Sequence, residues 1–232
     1  MLIYMILEGI SVKGSYHDIN QDSFRVEKIG EGFVAVLSDG LGSKTNSQFG
    51  SKAICDSVID TAVRYESKLM YCEPRKFLKE VHENWLIKIS QMDVSSCYAT
   101  LLAFVIYDGK GFAIRLGDGF VSFWADDKVK VLFDKKEDYF ANETDCLTEE
   151  LVFDKIEICE FEISDLRGGV ICTDGVGIGN MTEPELRNFT MDFIEGYCDM
   201  SGTDIKSDIE SWLQGWPGVD DKTLAFFISE RI

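Results

Sequence analysis

Only two histidines and three prolines occur among the 232 residues, and positive charge is scarce, with 23 Lys and Arg against 41 Asp and Glu. No apolar run approaches the ~20 residues that cross a bilayer as a helix, and the apolar opening Met1–Leu7 lacks a basic flank and runs into Glu8, which argues against a signal peptide. With few prolines, no Ser/Gly/Pro-rich linker and no internal repeat, the chain is expected to form a single domain over residues 1–232. The cysteines are odd in number, at positions 55, 72, 97, 146, 159, 172 and 198, and no CxxC pair occurs. They read as small core residues of a reduced, cytoplasmic protein. A formal charge of -18 repels nucleic acid and anionic membrane, so neither is an expected partner.

What is present is a set of short β-branched and aromatic runs bounded by turn residues. Phe33–Leu37, Thr100–Tyr107, Phe112–Leu116, Val121–Trp124, Val129–Phe133, Ile156–Ile163, Val170–Thr173 and Thr223–Ser229 are predicted strands. Asp108-Gly109-Lys110-Gly111 reads as a hairpin connection. Helical spacing links Phe49, Ala53, Ile54, Val58 and Ala62 in one stripe. A second, Phe77, Val81, Trp85 and Ile89, opens at Pro74. Thr182 and Glu185 fit a capping box before Leu186, Phe189 and Phe193, and Ile205, Ile209, Trp212 and Leu213 form the last stripe. Short links between strands imply antiparallel sheets covered by helices, an α+β class.

Three of these strands run directly into Asp-Gly: Asp39-Gly40, Asp118-Gly119 and Asp174-Gly175. A fourth acidic pair, Asp220-Asp221, opens the last strand, and Asp22 lies in Asn20-Gln21-Asp22-Ser23. Asp-Gly is also the favoured turn dipeptide, and Asp108-Gly109 is read as a turn. Spacing alone therefore leaves both a turn and a ligand reading open. If the carboxylates converge, they repel unless a cation separates them, and an all-oxygen set suits Mg²⁺ or Mn²⁺.

In order along the chain, these elements resemble the motif set of the protein phosphatase 2C family of metal-dependent phosphatases, in a divergent bacterial wording. The matching stretches are Gly14–Ser23, Val36–Gly42, Ala99-Thr100-Leu101, Gly117-Asp118-Gly119, Thr173-Asp174-Gly175 and Asp220-Asp221-Lys222-Thr223. The resemblance implies a four-layer α-β-β-α sandwich, two antiparallel sheets flanked by helices. It implies that Asp39 bridges two divalent metals, with the Gly40 carbonyl on one of them. Asp174 and Asp220 would hold the first metal, Asp22 the second, directly or through water, and Asp118 with Asp174 a third, weaker one. Of the final acidic pair, Asp220 is the expected ligand because it holds the family's ligand position. The chain departs from the family at three places. His17 stands where the main branch has a phosphate-pinning arginine, Leu41 where a proton-donating histidine is often found, and Gly119-Phe120 where Ser-Arg is usual.

The chemistry implied is hydrolysis of phosphoserine or phosphothreonine in proteins by a water shared between two divalent metals. Neither a Cys-x5-Arg loop nor a Walker loop is present, and Gly175-Val176-Gly177-Ile178-Gly179 is only a weak nucleotide fingerprint. His17 is a candidate for contacting the phosphate or protonating the leaving group. Lys44 is a candidate phosphate contact, and His82 is expected on a helix surface. Two other readings stand beside this one: a pseudophosphatase that regulates a partner with the same fold, and a hydrolase of small phosphoesters. With no sensor domain attached, a phosphorylated protein substrate and a cognate Ser/Thr kinase are the expected partners.

Overall fold

The computed structural model describes residues 5–65, 72–107, 110–134, 144–162, 166–176 and 181–229. Among these residues, ten strands form two five-stranded sheets. One has the order β1 (Met5–Val12), β10 (Lys222–Ser229), β9 (Leu166–Cys172), β6 (Phe120–Ala125), β7 (Lys128–Leu132). The other runs β2 (Ser23–Ile29), β3 (Gly32–Ser38), β4 (Leu101–Tyr107), β5 (Lys110–Leu116), β8 (Glu157–Glu162), and the pairs within both sheets are antiparallel. Helices α1 (Ser47–Tyr65) and α2 (Pro74–Lys88) cover the second sheet, while α3 (Glu183–Tyr197) and α4 (Gly202–Gln214) cover the first.

Side-chain alternation assigns the layers. In β3, Phe33, Ala35 and Leu37 face the sheet-to-sheet core with Phe104, Phe123, Ile171 and Phe227, while Val34 and Val36 face α1 and α2 beside Ile54, Val58, Phe77 and Trp85. In β10, Ala225 and Phe227 point into that central core, and Leu224, Phe226 and Ile228 meet Leu186, Phe193, Ile205 and Ile209. Because both faces of these strands are buried, their sequences are continuous apolar runs rather than alternating ones. The result is the expected α-β-β-α sandwich.

Two strands were not anticipated. Among the described residues, β1 pairs with β10 alone, and β2, carrying Arg25, Glu27 and Lys28, pairs with β3 alone. Both are edge strands, and the polar half of β2 makes ion pairs of Arg25 with Glu27 and with Asp56 on α1. β9 begins earlier than Val170 because Gly168 and Gly169 lie inside the strand. A Cβ on Gly169 would sit 2.6 Å from the Phe227 ring, so the glycine makes room for the core rather than breaking the strand. The Asp108-Gly109 part of the predicted hairpin lies outside the described residues, although β4 and β5 do pair across it from Tyr107 to Lys110.

Three expectations are corrected. His82 is buried (8% exposed), with its ring Nε2–H donating to the Thr148 carbonyl at 2.8 Å, because the segment after Thr144 packs over that face of α2. Phe49 is 52% exposed, since the first turn of α1 buries the small residues Ser47, Gly50 and Ser51 instead. A Cβ on Gly50 would fall 1.8 Å from the Cys97 carbonyl oxygen, which shows how closely the helix approaches there. Of the cysteines, Cys55, Cys97 and Cys172 are core residues, but Cys72, Cys146, Cys159 and Cys198 are only half-buried.

Candidate metal centre

Antiparallel pairing places the ends of β3 and β9 beside the starts of β2 and β10. Ser38 pairs with Ser23, and Cys172 with Leu224. The acids that follow β3 and β9 and those that precede β2 and β10 are therefore delivered to one edge. Gly117, with φ of 120°, adopts a backbone conformation suited to glycine and turns the chain from β5 to Asp118.

Asp39, Asp118 and Asp174 each bring a carboxylate oxygen within 4.8 Å of the others. Asp39 is fixed through its backbone: its N–H donates to Thr100 Oγ1 at 2.8 Å, and its carbonyl accepts from the Thr100 N–H at 2.8 Å. Asp22 is buried, and its Oδ2 accepts from the Thr173 hydroxyl at 2.8 Å. Gly40 is closed in from behind, since a Cβ there would lie 2.7 Å from Ser47. Gly175 lies against the chain before β10, where a Cβ would fall 1.7 Å from the Asp221 carbonyl oxygen. The charge of Asp220 acts on Asp174.

Crowding like charges away from water shifts their titration. Burial first, then the charges of Asp22 and Asp174, hold the Asp39 carboxyl well above the usual carboxylate range. Burial, followed by the charges of Asp118 and Asp220, pushes Asp174 up to about 7. Burial raises Asp22 to about 6 despite hydrogen bonds from Thr223 and Thr173. Asp118 adds an independent sign: its Oδ2 accepts from the Thr144 hydroxyl at 2.6 Å, while its Oδ1 is buried with no hydrogen-bond partner. A buried carboxylate oxygen with an idle lone pair, among converging carboxylates, fits a hard divalent cation.

The remaining candidates stand around this cluster. His17 lies against the turn that follows Asp39, its Nε2 2.9 Å from where a Cβ of Gly42 would be. Lys44 sits with its ammonium 4.7 Å from the centre of the Tyr98 ring, and the Tyr98 hydroxyl donates to Glu149. Asp221, passed over as a ligand candidate, is 3% exposed, and both its oxygens accept backbone N–H groups, from Gly14 at 2.8 Å and Gln21 at 2.7 Å. Thr144 was not anticipated either, since nothing around it in sequence marks a hydroxyl that reaches Asp118.

Residues 15–215 match the protein phosphatase 2C family. No curated protein matches the chain significantly. Among solved structures, serine/threonine phosphatase Stp1 from Staphylococcus aureus superposes with a TM-score of 0.69 at 10% identity, covering 98% of this chain and 96% of that one. The Mycobacterium tuberculosis serine/threonine phosphatase PstP/Ppp gives 0.66 at 14% identity, over 98% and 99%. The PstP catalytic domain in complex with 2 manganese ions gives 0.64 at 14% identity, over 98% and 100%. At such low identity these likenesses speak to the fold. The family match spans most of the chain, and the ordered motifs fall where the fold gathers them: this chain belongs to the protein phosphatase 2C family.

Proposed function

We propose that the chain is a metal-dependent protein serine/threonine phosphatase that hydrolyses phosphoserine or phosphothreonine in a cytoplasmic, bacterial signalling setting. The observation that carries this reading is the convergence of Asp39, Asp118 and Asp174 around the unpartnered Asp118 Oδ1. In this reading Asp39, the Gly40 carbonyl, Asp174 and Asp220 would hold a first cation, and Asp39 with Asp22 would serve a second. Asp118 and Asp174 would offer a third, weaker position. Bound there, Mn²⁺ or Mg²⁺ would acidify a shared water and neutralise the phosphoryl oxygens.

The protein's own groups do the rest. Thr100 holds Asp39 by both backbone polar groups, and Thr173 and Thr144 aim the carboxylates of Asp22 and Asp118. His17, over the turn that follows Asp39, would hold the phosphate or deliver a proton to the leaving oxygen, and Lys44, in that same turn, would be a further phosphate contact. A cognate kinase as partner follows from the same reading, and seven unpaired thiols suit a reducing compartment.

Phosphate release from a phosphothreonine peptide with Mn²⁺ tests this, run beside an Asp39→Asn variant and an EDTA control. Turnover is expected in the first case and loss of at least about 100-fold in both controls, the scale of a transition-state charge interaction. Metal binding without turnover on the peptide or on a small phosphoester would favour the pseudophosphatase, whose best support is His17 in place of the arginine. Turnover of the small ester alone would favour the third reading.

A further inference from the structure

We infer that Asp221 is a positioning residue that locks the His17 segment onto the metal edge, rather than a metal ligand; this rests on the proposed phosphatase reading for its kinetic part only. Its two carboxylate oxygens accept N–H groups from opposite ends of residues 14–21, at Gly14 and Gln21, some 200 residues away in sequence. Inside that span Ser15 and Tyr16 donate their N–H groups to the Val219 carbonyl at 2.8 and 2.9 Å. The far end is tied to the centre as well. The Gln21 carbonyl accepts from the Gly40 N–H at 3.2 Å and from the Ser51 hydroxyl at 2.6 Å.

The segment that carries His17 is thus held by residues 219–221 on one side and by the Asp39–Gly40 turn on the other. Asp220 has its Cβ 3.5 Å from where a Cβ of Gly175 would be and its charge acts on Asp174, while both oxygens of Asp221 are taken up by the Gly14 and Gln21 N–H groups, so consecutive acids divide the work. One is placed to serve the cations, and the other sets where His17 stands relative to them. A carboxylate suits this task better than an amide. Aspartate offers an acceptor oxygen to each N–H, whereas asparagine has one oxygen and would turn its NH₂ toward the second donor.

The test is Asp221→Asn, compared with Asp220→Asn and the wild type. Amide exchange should show residues 14–21 losing protection in Asp221→Asn, while calorimetry finds its Mn²⁺ affinity reduced by less than about fivefold, since a charge that acts on Asp22 is removed but no ligand is. With the phosphothreonine peptide, kcat/KM should fall about tenfold, through KM where His17 holds the phosphate and through kcat where it delivers the proton. Mn²⁺ affinity falling as far as in Asp220→Asn would overturn the inference, and so would an unchanged kcat/KM or unchanged protection. If the wild type turns over no peptide, the phosphatase reading falls, while exchange and calorimetry still decide the clamp. Should the variant fail to fold, the wild type alone remains decisive: its Gly14 and Gln21 amides must exchange slowly even in EDTA, and fast exchange there would refute the clamp.

Discussion

Asp39, Asp174 and Asp22 all ionise less readily in the folded, metal-free chain than in the unfolded one, where their ordinary value is 3.8. For an acid whose native pKa is raised, the native state binds more protons than the unfolded state between the two values, so stability falls as pH rises through that window. In EDTA, thermal stability contributed by this cluster should therefore be greatest below about pH 4 and be lost by about pH 7 to 8, with Mn²⁺ restoring it at the upper end. Asp39→Asn removes one of the repelling charges. At pH 8 in EDTA it should raise Tm by roughly 2–4 °C, about 1 kcal/mol for a chain of this size, and abolish most of the Mn²⁺-induced gain. A lower Tm for that variant in EDTA would mean the carboxylates are not in repulsion. The central acids could be read from the sequence because each follows an apolar strand and precedes glycine, and antiparallel pairing then had to bring them together. Asp22 and Asp220 stood out in the sequence as further acids, but they precede strands rather than follow them, and only the family likeness gave them separate ligand roles. Thr144 could not be read at all, because its partner Asp118 lies 26 residues away across segments with no shared period.

Elements were readable in proportion to how fully they are buried. β3 and β4, apolar on both faces, declare themselves, and so does α2, which opens at Pro74 and carries Phe77, Val81 and Trp85 inward. Edge strands β1 and β2 do not, since half of their hydrogen-bonding edge and part of their side-chain surface belong to solvent or to ion pairs. His82 shows the same limit on a helix: its burial depends on a segment 66 residues further along, which no local pattern reports. That contact matters for the site, because the segment reaching Thr148 begins with the threonine that holds Asp118. His82→Ala should cost about 1–3 kcal/mol in urea unfolding, as the Thr148 carbonyl loses its donor at a buried position. The same variant should loosen protection of residues 144–148 in amide exchange more than that of α3 or α4. A loss under about 0.5 kcal/mol would show that the ring is replaceable there.

At the scale of the whole molecule, the chain carries 41 acidic against 23 basic residues, and the proposed reaction asks it to accept a phosphate dianion. In the proposed reading, cations held by the central aspartates would be the local solution, but the outer field still acts on whatever approaches. A field of this sign repels acidic peptides and draws basic ones, and it does so through the rate of encounter rather than through contacts. Bare phosphopeptides flanked by Lys or Arg should therefore be turned over faster than ones flanked by Asp or Glu, by about tenfold in kcat/KM at low salt. Because the Debye length shrinks from about 30 Å at 0.01 M to about 3 Å at 1 M, that preference should contract to within about twofold at high salt if it is a field effect. Pocket contacts would behave differently, since short buried interactions are screened much less. A basic preference that survives 1 M salt would therefore place specificity in direct contacts at the mouth rather than in the acidic surface. A preference for acidic flanks would point instead to His17 and Lys44 as the groups that read the substrate.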